Sequence, residues 1–138
     1  MKYVLEEEYD YDFKLIGISC HAKDYRLAWA INKELGYRME KEEYALDILS
    51  NNPLERSEHP VYSFYDEDEQ NEYFLIGNRV GAGYLIPELR QADFVFMIKA
   101  SLPVDVIKET TNLRKIALVL TAFEIDVAKL KSKKNLIF

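Results

Sequence analysis

The sequence predicts an α+β domain: a single mixed β-sheet of about six strands, in the chain order β-α-β-β-β-β-α-β, with two helices packed on it. Three observations carry this expectation. Short aliphatic and aromatic runs, several of them alternating with polar residues, recur along the chain and suit a pleated sheet. Two segments break that pattern with helical signals, one through apolar spacing and the other through end-capping chemistry. Neither strand-to-helix junction carries a glycine-rich turn, which separates the chain from dinucleotide-binding domains.

The elements follow in order. "DFKLIGISC" (residues 12–20) reads as a first strand, short and mostly apolar. In "AKDYRLAWAINKELG" the period changes, with Leu27, Ala28, Ile31 and Leu35 at helical spacing and Gly36 standing where a left-handed cap ends the helix. Tyr25 and Trp29, four apart, form an aromatic stripe on its flank. "EYALDIL" alternates Tyr44, Leu46 and Ile48 against polar positions, as a half-buried strand does. "SNNPLERSEHP", polar with two prolines, reads as a loop. "VYSFYDEDEQNEYFLIGNRV" is a hairpin with an acidic tip, and "FVFMIKA" is a central strand covered on both faces. In "SLPVDVIKETTNL", Ser101 is the expected helix cap, with Pro103 and Asp105 in the first turn. "KIALVLTAF" completes the set as a last strand.

Composition narrows the class. At 138 residues, 49% of them apolar, the chain can bury enough surface to fold without a partner. Residues 1–128 read as one globular domain. Residues 129–138 form a tail, first basic (Lys129, Lys131, Lys133, Lys134) and then apolar, expected to dock on the domain or on a twin subunit. The net charge of −6 opposes general nucleic-acid binding, which depends on phosphate neutralisation. No apolar run reaches the ~20 residues of a membrane span. The acidic N-terminus lacks the form of a secretory leader, and a lone cysteine, Cys20, fits a reducing compartment. The expected location is the cytoplasm.

The densest chemistry lies in "GAGYLIPELRQADFVF". Read structurally, "IPELRQAD" is one helical turn: Pro87 suits a first-turn position, Glu88 meets its positive end, and Asp93 accepts amides at the mouth of the following strand. Read functionally, Glu88 and Asp93 are an acid pair beside the cations Arg79 and Arg90, and the segment from Gly81 to Asp93 is a small-molecule or catalytic site. The structural reading accounts for every residue without a ligand and is preferred.

The stretch Ile86-Pro87-Glu88, three residues, then Ala92-Asp93-Phe94 resembles the signature of the IPExxxVDY family of small bacterial proteins. "DFKLIGISCHAKDYRLAWAINKELG" and "LKSKKNLIF" are also similar to that family. The resemblance implies a bacterial, cytosolic protein and supplies no mechanism. Ala92 and Phe94 depart from the Val and Tyr of the signature, so a shared chemistry cannot require a tyrosine hydroxyl here.

Other constellations are weaker. Adjacent Cys20 and His21 point apart on a strand, and His59, assigned to a distant loop, does not complete a metal set. "DEDEQNE" lacks the turn glycine of a calcium loop. "GNRVGAGYLIPE" lacks the Lys and Ser/Thr of a phosphate cradle, although Arg79 makes this loop the first place to look for a ligand. No cofactor and no metal are expected. The function expected is a non-enzymatic binding module that engages a protein partner or itself as a homodimer, the alternative being a small-molecule site around Arg79, Pro87, Glu88, Arg90 and Asp93.

Overall fold

A computed structural model describes residues 12–51 and 54–138, the side chains of 50, 51, 54 and 55 excepted. Its strands are β1 (Phe13–Ser19), β2 (Glu40–Asn51), β3 (Leu54–Asp66), β4 (Asn71–Gly77), β5 (Arg79–Val80), β6 (Gly83–Tyr84), β7 (Phe94–Ala100) and β8 (Thr121–Ile125), and its helices are α1 (Asp24–Leu35) and α2 (Val106–Arg114). Six strands make the main sheet, in the order β2-β3-β4-β7-β1-β8, while β5 and β6 pair as a small separate ribbon. The α+β class and the predicted element order hold. The sheet is antiparallel at every described pairing rather than mixed, because β1 runs against both of its neighbours, β7 and β8.

Strand alternation sends side chains to two cores. Ile16, Ile18, Leu75, Phe96 and Ile98 face the helices, where Leu27, Ile31 and Leu113 meet them. Leu15, Val61, Ile76, Val95 and Met97 face the other way and are covered by Leu85, Ile86, Leu89, Val127 and Leu136. The unbroken run of β7 is thus buried on both faces, as its composition predicts. Irregular chain, not helix, forms the second cover: residues 78–93 and the tail with its two 3-10 turns, Val127–Lys129 and Lys133–Leu136.

Helix α1 ends as expected, Gly36 taking φ +70 and donating its amide to the Asn32 carbonyl. Helix α2 starts later than expected. Its cap is Asp105, whose carboxylate accepts the Lys108 amide at 3.1 Å, and not Ser101. Pro103 disfavours helical backbone at Leu102, so the helix cannot open there. The segment read as a strand from Lys115 instead turns twice. The Ile116 amide donates to the Leu113 carbonyl and the Val119 amide to that of Ile116, and β8 begins only at Thr121. A buried turn and a buried strand draw on the same aliphatic residues, so composition alone does not separate them.

The polar stretch read as a loop over residues 50–60 is largely strand, although 52 and 53 lie outside the described residues. Residues 54–60 pair with β2 in a ribbon that extends beyond β4, whose own pairing with β3 starts at Val61. Pro60 sits one residue before that junction. The hairpin with the acidic tip forms as expected, the Asp66 carboxylate accepting the Asp68 amide at 3.1 Å.

The tail is docked on its own domain. Leu136 is fully buried, and the Phe138 ring lies edge-on to Phe74 at 5.3 Å. Leu136→Ala is expected to cost about 2–5 kcal/mol of unfolding free energy, the range for emptying a buried leucine site. Urea denaturation would check this; a loss below about 1 kcal/mol would mean the tail contributes little to the second core.

Candidate functional site

The corner that leads into β7 is organised around a residue the sequence does not single out. Asn78 follows the last residue of β4 and is fully buried. Its side-chain amide donates to the carbonyls of Leu89 (2.9 Å) and Ala92 (2.8 Å), and its side-chain oxygen accepts the Ile86 amide at 2.8 Å. Its main chain adds two more bonds, donating to the Asp93 carbonyl and accepting the Leu85 amide. One asparagine therefore satisfies the peptide groups of a segment that has no ladder of its own. Within that segment, "IPELRQAD" is not a helical turn. It makes two successive tight turns, closed by the Leu89 amide on the Ile86 carbonyl and the Ala92 amide on that of Leu89.

Asp93 sits where the sequence suggests, at the mouth of β7, and accepts the Cys20 amide at 2.9 Å. That amide lies just past the end of β1, where the ladder leaves it unpaired. The other carboxylate oxygen of Asp93 meets Arg79 at 3.1 Å, with the arginine half-exposed. Glu88 does not join them. Its carboxylate accepts the Ser132 amide of the tail at 2.7 Å, and Asn135 donates from the same tail to the Leu85 carbonyl at 2.8 Å. Burial alone would raise the Glu88 carboxyl, but hydrogen bonds from backbone amides, those of Ser132 and Lys131 among them, outweigh it and hold it below its ordinary value. A general acid needs the opposite shift. Arg90 lies over the Tyr84 ring at 5.8 Å, and Pro87 is exposed in the first turn.

The five candidates thus do not converge. Arg79 and Asp93 form one pair, Glu88 faces the tail, and Arg90 packs on β6. Arg79 does line a groove of about 660 Å³ beyond the N-terminal end of α1, together with Lys23, Lys41, Asp47 and Glu58. Pro87, Glu88, Arg90 and Asp93 are not among its walls. Among the described residues, no three of His, Cys, Asp and Glu are arranged to hold a metal ion.

Two other polar sites went unread in the sequence. His59 lies on β3, not in a loop, and is fully buried, with one ring nitrogen 2.8 Å from the Gly77 carbonyl and the other 2.7 Å from the Ser57 hydroxyl. Glu109 on α2 is bonded by the Tyr37 hydroxyl at 2.8 Å, and burial pushes its carboxyl above the ordinary value. An asparagine after a glycine reads as a turn former, and a histidine between serine, glutamate and proline reads as loop. In neither case does local spacing show the side chain turning inward.

No protein-family model matches the chain, and no curated protein matches it either.

Two outcomes follow from this geometry. Asn78→Ala strands one buried amide and two carbonyls and is expected to destabilise the protein by about 3 kcal/mol or more, measured by chemical denaturation. His59 sets an acid limit: burial lowers its pKa from 6.5, so the folded state disfavours the imidazolium. This contribution is complete above pH 6.5 and is lost as pH falls through the lowered folded value. The urea midpoint should drop on acidification across that window, and His59→Gln should flatten the dependence.

Proposed function

We propose that this protein is a binding module of the reducing cytosol that engages protein surfaces, a second copy of itself first among them. Membership of the IPExxxVDY family is proposed with it, on the residues quoted above. The observation that carries the reading is the outward face of α1. Trp29 and Tyr25 stand one turn apart at 63% and 62% exposure, while the opposite face of the helix is sealed against the sheet. Tryptophan and tyrosine are the side chains that dominate interface energetics, because each buries a large rigid surface at small entropic cost. Lys33 lies 5.1 Å over the Trp29 ring, a charged rim beside an apolar centre.

The grounds differ from those the sequence offered. Several aromatic residues of the strands are internal: Tyr73, Phe64 and Phe96 cluster with Tyr37, which stacks on Tyr73 at 4.6 Å, whereas Tyr44 and Tyr65 are exposed. The apolar terminus is committed to its own domain. The α1 face remains for a partner, and it is the one that presents an exposed tryptophan. Nucleic acid is a poor partner for a chain of charge −6, and no described helix is long and apolar enough to cross a membrane. A second reading, a small-molecule site, rests on the groove beside Arg79 and is tested by titrating candidate ligands against Arg79→Ala.

Light scattering on a size-exclusion column tests the first reading. The mass should rise with concentration toward twice the 16.2 kDa chain, and Trp29→Ala should weaken association about 30-fold or more, the loss typical of an interface anchor. The emission of Trp29, the single tryptophan, should shift to shorter wavelength on association. A monomer at every concentration, with unchanged emission, would remove self-association.

A further inference from the structure

Ser57 and His59 are two residues apart on β3, so their side chains leave the same face of the sheet. Ser57 Oγ lies 2.7 Å from His59 Nε2, and His59 Nδ1 lies 2.8 Å from the Gly77 carbonyl oxygen. A carbonyl can only accept, so Nδ1 carries the ring proton. In the neutral ring Nε2 then offers a lone pair alone, and the Ser57 hydroxyl has to donate to it. Full burial of His59 keeps the ring neutral and in one orientation. The hydroxyl proton is therefore already aimed at a base, and that base is held by a third group, the arrangement that activates a serine.

From this geometry we infer that Ser57 and His59 are a nucleophile and general base that cleave small acyl esters. Ser57 Oγ attacks the acyl carbon as its proton passes to His59 Nε2. The carbon–oxygen bond to the alcohol breaks, and the alcohol leaves with that proton. Water then attacks the acyl carbon, giving a proton to the same nitrogen; the bond from that carbon to Ser57 Oγ breaks, the proton returns to Oγ, and the acid leaves. The cover over the hydroxyl sets the size of the acyl group. A Cβ at Gly83 would collide with Ser57 Oγ, so the glycine lets the β6 backbone lie against the serine, which stays half-buried while His59 is sealed. The backbone of β6 lying against the oxygen restricts the site to the smallest acyl groups. The orienting group is an uncharged carbonyl instead of a carboxylate, so the imidazolium formed in the first step is weakly stabilised and turnover is slow. Covalent capture is accordingly the direct readout.

The experiment exposes the folded full-length protein to a short-chain fluorophosphonate, which a serine attacks with loss of fluoride, and locates the adduct by peptide mass spectrometry. An adduct on Ser57 is expected, with none in Ser57→Ala. Its rate should fall as pH drops below 6.5, through the lowered pKa of His59, and the ring takes up a proton. In a folded His59→Gln variant the rate should fall about 10²-fold or more, the usual contribution of a general base. The pH series needs no variant, so it stands even if His59→Gln fails to fold. No adduct on Ser57 under native conditions overturns the assignment. So does a rate that simply tracks hydroxide concentration, or one unchanged in folded His59→Gln. Release of nitrophenolate from 4-nitrophenyl acetate, lost in Ser57→Ala, is the accompanying steady-state measure.

Discussion

Three hydrogen bonds from one buried side chain hold the second half of this structure in place. A sheet with two apolar faces needs two covers, and here one of them is irregular chain. Such chain carries peptide groups that cannot reach water once it lies on a core, and each of them needs a partner. Asn78 supplies two donors and an acceptor at the centre of that cover. An apolar residue of the same volume would fill the space and leave three polar groups stranded. The turns over residues 85–92 therefore exist because an amide side chain, with both kinds of hydrogen-bonding group, sits beneath them.

The acidic residues around the corner extend the same logic outward. Asp93 takes up the amide that β1 leaves unpaired, and Glu88 takes up an amide of the tail. Each ties a piece of chain distant in sequence to the turns, so that the corner, β1 and the C-terminal segment lock one another. Carboxylates employed in this way are charge-assisted acceptors with fixed partners. They are poor candidates for proton transfer, because a group that must give up and regain a proton cannot also be the permanent acceptor for a main-chain donor. Architecture and chemistry are separated spatially here, and the polar residues with unspent chemistry lie elsewhere, on β3 and α2.

Much of the fold was legible because periodicity reports burial. The α1 pattern, its glycine stop, the two-faced β7 run and the acidic hairpin tip all follow from local rules, and all are present. Most of what failed shares one cause. The turns after Leu113, the β2–β3 ribbon and the turns at Pro87 depend on which distant element lies opposite, and composition cannot report that; the start of α2 is instead set locally, by Pro103 acting on Leu102. The same holds for the candidate site. Asp93 could be read because a carboxylate at a strand mouth has a local purpose. Asn78 and His59 could not, since their importance arises from carbonyls that the fold delivers from other segments.

The position of β1 has a consequence for how the chain acquires its shape. This strand lies between β7 and β8, so both of its edges wait for segments some eighty to a hundred residues later. The meander of β2, β3 and β4 can zip locally as it emerges, whereas the centre closes only when β7 and β8 are available. During synthesis on the ribosome, an apolar strand with two open edges is thus carried as a sticky intermediate. Holding that segment apart from its neighbours is a task for the cell's chaperones, imposed by topology alone.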